Sequence, residues 1–160
     1  MTRVGHGFDA HRLIEGRRLV LGGIAVPHDR GALGHSDADV LAHAISDALL
    51  GAAALGDLGG HFPDSDPQWK DADSMVLLEA CAARVREAGY RIVNLDATIV
   101  VERPKLAPYI GAMREHLATR LGLALECISV KAKTSEGMVY TGDGTGIAAF
   151  AVASLDRSER

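Results

Sequence analysis

His35-Ser-Asp-Ala-Asp-Val-Leu-Ala-His43-Ala-Ile-Ser-Asp47 is a polar cluster that runs directly into an alanine- and leucine-rich segment. Ser36 followed three residues later by Asp39 is a capping-box-like start, because a hydroxyl and a carboxylate can satisfy the free amides of a first helical turn. The spacing predicts a helix that begins near Asp37 and ends around Gly56. Val40, Leu41, Ala44, Ile45, Ala48, Leu49 and Ala52 recur at helical intervals and form its apolar face. Asp39, His43 and Asp47 then stack at i, i+4 and i+8 on one polar stripe.

A partner for that stripe lies at the N-terminus, in Val4-Gly-His-Gly-Phe-Asp9-Ala-His11. Asp9 and His11 are two apart, so on an extended strand both side chains point the same way. Joined by His43 they would make an Asp-His-His set that suits zinc and leaves a fourth position open for chemistry. The same residues are also compatible with a turn cap, a half-buried strand histidine and a satisfied helix histidine.

The chain has 160 residues, enough for one ordinary domain, and is 48% hydrophobic with few aromatics, so alanine, valine and leucine must build the core. A formal net charge of −4 and no basic run longer than Arg17-Arg18 argue against nucleic-acid binding. Cys81 and Cys127 lack metal-ligand spacing and read as reduced core thiols. No signal-like N-terminus and no apolar run near the ~18 residues of a membrane span are present, so a soluble, cytoplasmic protein without membrane contact is expected.

Arg3 to Phe8 reads as a first strand interrupted by Gly5 and Gly7, and Arg18 to Val26 as a β-rich run pairing with it in a hairpin, stopped by Pro27. Gly31 to His35 is expected to be a loop. Asp57 to Pro67, dense in glycine, proline and aspartate, reads as a loop that either covers a substrate or merely connects. Asp73 to Gly89 is an amphipathic helix, Tyr90 to Val101 a buried strand, Pro108 to Leu121 a helix ended by Gly122, and Ile128 to Thr134 a strand. Thr141 to Gly146 lacks a P-loop ending and reads as a turn before a last strand, Ile147 to Val152, with Asp156 to Arg160 frayed. Thr134 and Ser135 could hold phosphate oxygens while Glu136 holds a hard divalent cation. The expected fold is α/β of the α+β type: one domain over 1–160, a mixed sheet packed on helices, without repeats or linkers.

Gly5-His-Gly-Phe-Asp9-Ala-His11, His35-Ser-Asp-Ala-Asp-Val40, Asp47 to Asp57, Phe62-Pro-Asp-Ser-Asp66, Arg103-Pro-Lys105 and Lys133-Thr-Ser-Glu136 occur in one order over nearly the whole chain. Together they resemble the 2-C-methyl-D-erythritol 2,4-cyclodiphosphate synthase family of the non-mevalonate isoprenoid pathway. The resemblance implies a homotrimer with active sites between subunits. It implies zinc on Asp9, His11 and His43, and a magnesium- or manganese-type ion at Glu136. The reaction implied is attack of the 2-phosphate of 4-diphosphocytidyl-2-C-methyl-D-erythritol 2-phosphate on its β-phosphorus, giving the cyclic diphosphate and CMP. Positioning and electrostatics suffice for such a step, with no covalent enzyme intermediate.

By the same resemblance His35 and Thr134 stabilise the transition state, and Asp9, Ala10, His11, His35 and Ser36 border the substrate. Asp57, Leu58 and Gly59 match the erythritol-binding segment, and Phe62, Pro63, Asp64, Ser65 and Asp66 the mobile loop over it. Val101, Glu102, Arg103, Pro104, Lys105, Leu106 and Ala107 resemble the cytidine-binding segment, contributed by a neighbouring subunit. Lys133, Thr134, Ser135 and Glu136 would line the diphosphate, with Tyr140 beyond them. One departure stands out: many members carry arginine in a Gly-Phe-Thr-Gly-Arg-Gly-Glu-Gly stretch that can hold an isoprenoid diphosphate on the trimer axis. Here Val139-Tyr-Thr-Gly-Asp143-Gly-Thr-Gly146 has Asp143 there, so prenyl diphosphates are expected not to bind. The rival readings are a zinc-dependent phosphoester hydrolase and a non-catalytic binding module of the same fold.

Overall fold

A computed structural model describes residues 1–158. Strand β1 (Arg3–Glu15) is followed by three short strands, β2 (Leu19–Leu21), β3 (Ile24–Val26) and β4 (Arg30–Ala32). Helix α1 (Val40–Ala53), a short α2 (Leu58–His61) and α3 (Ser74–Glu87) come next, then β5 (Tyr90–Val100), α4 (Ile110–Leu121), β6 (Ile128–Lys133), a single turn α5 (Val139–Gly142) and β7 (Gly146–Arg157). Five strands form a mixed sheet in the order β4-β1-β7-β5-β6, with β5 and β6 parallel across α4 and the other pairs antiparallel. The expected α+β class and mixed sheet are observed.

One strand and one helix place the site. Along β1, Val4, His6 and Phe8 face outward while Gly5 and Gly7 turn inward and are buried. A Cβ on Gly5 would lie 2.0 Å from the Ala48 carbonyl oxygen, so glycine is what lets α1 rest against the strand backbone. Behind this contact Leu41, Ile45 and Leu49 of α1 pack with Leu95, Ile99, Ile147 and Leu155 of the sheet. The opposite sheet face is bare: Val4, Phe8, Phe150 and Val152 are 41–67% exposed. Phe8 lies directly across from Phe150, ring centroids 5.0 Å apart.

Several sequence expectations are corrected. β1 continues unbroken to Glu15, because ten residues of it pair with β7 regardless of the glycines. Arg18–Val26 does not pair with β1; it folds on itself as β2 and β3 around Gly22 and Gly23, both at positive φ. The expected loop at Gly31 contains β4, paired with the end of β1. Helix α1 starts at Val40, later than expected, because Ala38 takes φ +57° and Asp39, not Ser36, caps Ala42 N; it ends at Ala53 with Ala54 left-handed. Asp57–Pro67 is not all loop, since α2 forms within it. β7 runs to Arg157 and Ser158 N donates to the Gly89 carbonyl at 3.0 Å, so these residues are held rather than frayed; the rest of that expectation, at 159–160, lies outside the described residues. Cys81 and Cys127 are unpaired thiols, and burial pushes Cys81 up to about 11. Among the described residues no helix is long and apolar enough to cross a membrane.

Candidate active site

Inward alternation on β1 delivers Asp9 and His11 to the face on which α1 lies, and α1 offers His43 from its first turn. The ligand atoms of these three residues all lie within 4.8 Å of one another. Oδ2 of Asp9 is 2.9 Å from Nε2 of His11 and 3.0 Å from Nδ1 of His43. The outer nitrogen of His11, Nδ1, sits 2.7 Å from the Leu33 carbonyl, which can only accept; Nδ1 therefore carries the hydrogen and Nε2 turns a bare lone pair inward. A carboxylate oxygen and a bare ring nitrogen brought together repel unless a cation or an extra proton stands between them. The donor set fits a divalent metal.

Electrostatics agree. Burial would raise the Asp9 carboxyl, but where His11 and His43 carry that extra proton their hydrogen bonds and charge outweigh it and hold Asp9 below the usual range. Burial likewise opposes charge on His11, yet its contact with Asp9 and the Leu33 carbonyl leave its pKa raised.

These residues border a cleft of about 380 Å³ that also takes in His35, Ser36, Asp47, Leu58, Gly59, Phe62 and Asp64. Asp47, one turn beyond His43, accepts the Leu58 amide at 2.7 Å, while Asp57 caps α2 through Gly60 N at 2.8 Å. Asp47 lies on the predicted stripe, and nothing in the sequence marks it as a member of the cleft; burial, with Asp57 and Asp9 nearby, raises its carboxyl. Asp39 leaves the stripe: fully buried, it accepts Gly22 N, Gly23 N and Ala42 N and ties the β2–β3 turn to α1. The Phe62–Asp66 segment is fastened at both ends. Phe62 is buried edge-on against Trp69 with the Arg84 guanidinium 5.0 Å over its ring, and the Asp66 carbonyl accepts His35 Nε2 at 3.1 Å. Pro63, Asp64 and Ser65 between them are exposed.

The other predicted residues gather elsewhere. Val101, Pro104, Lys105, Leu106, Ala107, Lys133 and Thr134 line a second concavity of about 200 Å³ that shares no residue with the first. Glu102 stands half-buried beside it with Oε2 unpartnered among the described residues, and Arg103 is exposed before a cis bond to Pro104. Ser135 is held by Thr141, and exposed Glu136, at φ +55°, reaches Thr134 Oγ1 at 3.5 Å and joins no second metal-binding group among the described residues. Ala10 and Tyr140 meet in a third recess of about 300 Å³ with Arg12 and Thr145. His35 and Thr134 thus fall in different clefts of one chain.

The model of the YgbB family matches residues 2–156. A curated 2-C-methyl-D-erythritol 2,4-cyclodiphosphate synthase from Moorella thermoacetica is 60% identical over 96% of this chain and 94% of its own length. Among solved structures, a CDP-bound 2C-methyl-D-erythritol-2,4-cyclodiphosphate synthase superposes with a TM-score of 0.89 at 40% identity, covering 96% of this chain and all of that one. The bifunctional IspDF of Campylobacter jejuni reaches a TM-score of 0.96 at 39% identity over 99% of this chain, which spans only 43% of that longer protein.

Proposed function

The chain belongs to the YgbB family, that of the 2-C-methyl-D-erythritol 2,4-cyclodiphosphate synthases, and from that membership we propose how its residues divide the reaction. It is a lyase of isoprenoid biosynthesis that converts 4-diphosphocytidyl-2-C-methyl-D-erythritol 2-phosphate to the 2,4-cyclodiphosphate and CMP. The residues 1–160 act as one synthase domain in the cytoplasm. Asp9, His11 and His43 hold zinc; the observation that carries this is the convergence of two imidazoles on a single carboxylate oxygen. Glu136 binds magnesium or manganese as its one protein ligand, substrate phosphates and water supplying the rest.

Bound metal would supply positive charge that offsets repulsion between the attacking phosphate and the diphosphate. The chain's own residues do the positioning. Asp57, Leu58 and Gly59 orient the erythritol hydroxyls, and Phe62 to Asp66 cover them. The Val101–Ala107 segment, with the Lys105 charge, holds the cytidyl group, and Lys133, Thr134 and Ser135 align the diphosphate. His35 and the Thr134 hydroxyl donate to the oxygens that gain charge. Because these two lie in separate clefts, the first cleft of one subunit works with the second cleft of its neighbour in a homotrimer. The bare sheet face bearing Phe8 and Phe150 supports such an assembly.

The test is to incubate zinc-loaded protein and magnesium with the cytidyl substrate, following CMP and the phosphorus spectrum together. CMP with a cyclic diphosphate is expected. CMP with linear phosphates would mean a hydrolase, and no turnover a binding module.

A further inference from the structure

His43 has two ring nitrogens, and only Nδ1 faces Asp9. Its other nitrogen, Nε2, faces the start of α3, where Ser74 Oγ lies 2.8 Å away. Ser74 is fully buried, so its hydroxyl hydrogen must be placed within the protein. It has one strong acceptor: the Asp37 carboxylate, in direct contact through Oδ1. The same carboxylate accepts Ser74 N at 3.1 Å through Oδ2 and Asp39 N at 3.1 Å through Oδ1, so its position is fixed by three donors. With its hydrogen committed to Asp37, Ser74 Oγ can only accept from His43. Ser36 Oγ also approaches, at 3.2 Å from His43 Nε2 and 3.3 Å from Ser74 Oγ, but both contacts are longer, and it accepts Ala38 N.

We infer that Ser74 and Asp37 are positioning residues for His43: the Ser74 hydroxyl, oriented by the Asp37 carboxylate, accepts the His43 Nε2–H and so fixes Nδ1 as the bare nitrogen presented to Asp9. This rests on the metal reading given above and extends it outward. A metal-bound imidazole is held in tautomer and direction by whatever its far nitrogen donates to, and a carboxylate behind that acceptor strengthens it. His11 is set by a backbone carbonyl, which no side-chain replacement removes. His43 instead depends on two side chains from other parts of the chain, which couple the start of α3 to the ligand on α1.

Two variants test it, Ser74→Ala and the isosteric Asp37→Asn. Ser74→Ala leaves the Asp73 cap on Met75 N and the backbone bond from Ser74 N to Asp37, so α3 keeps its start. In metal-free protein labelled with 15N-histidine, long-range proton–nitrogen correlations at mildly alkaline pH should show parent His43 as the single Nε2–H tautomer, and both tautomers in Ser74→Ala. Zinc affinity, read by competition with a chromogenic chelator, should fall about 10-fold or more in Ser74→Ala and by less in Asp37→Asn. An unchanged single tautomer in both variants, or zinc affinity within about 2-fold of the parent, would overturn the inference. A parent that holds no zinc would instead overturn the metal reading, and the tautomer comparison then decides this inference alone.

Discussion

Gly7 lies directly beneath Ala44: a Cβ built on the glycine would come 1.8 Å from the Ala44 carbonyl oxygen. Strand and helix therefore touch backbone to backbone just where Asp9 and His43 leave them. Gly7→Ala must push β1 off α1, at a cost of about 1–3 kcal/mol or more, and each kcal/mol should lower Tm by about 2–4 °C. The same variant should weaken zinc binding by separating the ligands. Gly111→Ala is the control: nothing lies within 4 Å of its added Cβ in the exposed face of α4, so stability should rise by about 0.5–1 kcal/mol. Thermal melts of both variants decide the matter; equal Tm values would contradict the packing argument.

On the acid side a bound zinc would have to compete with a proton for His11 Nε2. Because the His11 pKa is raised above 6.5 in the folded chain, the protonated form is favoured as pH falls through that raised value, and the metal is lost on the acid side. Apparent zinc affinity should fall about 10-fold per pH unit there, for the one proton displaced. Chelator competition across the mildly acidic range measures it, and a flat profile would count against His11 as a ligand.

Asp39 is the buried clasp between the β2–β3 turn and α1. Asp39→Ala removes a helix cap and leaves three amides without their acceptor, so a loss of about 2–3 kcal/mol is expected. Burial lifts the Asp39 pKa from 3.8 to about 6. A group whose folded pKa is raised stabilises fully below the unfolded value and loses that contribution as pH rises through the folded one. The gap between parent and Asp39→Ala, which reads the Asp39 contribution alone, should be widest at the acid end and narrow between pH 3.8 and about 6. Denaturant melts at several pH values test both statements.

Asp143 is exposed and hydrogen-bonded to Thr145 Oγ1 and N, which keeps its carboxyl below the usual range and therefore charged at neutral pH. An anionic isoprenoid head group would be repelled there. Calorimetry with geranyl diphosphate should give no binding heat; measurable affinity would sink the expectation.

If the two clefts come from neighbouring subunits, inactive variants should rescue each other. His43→Ala and Thr134→Ala chains, each inactive alone, should recover about a quarter of parental CMP release when reassembled in equal amounts, since that share of interfaces joins two intact clefts. No recovery would place both clefts in service of one chain.

The Asp9-His11-His43 set was legible because it depends on two local periodicities, two along a strand and 3.6 along a helix, that survive whatever the rest of the chain does. Helices α3 and α4 were legible for the same reason, with Gly122 closing α4 in the left-handed conformation. The length of β1 was not, because pairing with β7 overrides the local cost of Gly5 and Gly7. Nor was the burial of Asp39, since a carboxylate on a helical stripe carries no mark of the amides that will meet it from Gly22 and Gly23. Ser74 and Asp37 were invisible as partners for a similar reason: they meet across 37 residues of chain. Nor did any spacing mark the parting of His35 from Thr134 into different clefts, because the two follow strands at opposite ends of the sheet order.

Phe62 is pinned under Arg84 and Asp66 is held by His35, which leaves a strap of Pro63, Asp64 and Ser65 buckled at both ends. Three residues span at most about 10 Å when fully extended. With both ends held, such a strap can turn its peptide planes and re-aim Asp64 without leaving the rim of the cleft. While both fastenings hold, a ligand reaches the metal-binding residues past this rim, so its girth there matters alongside its charge.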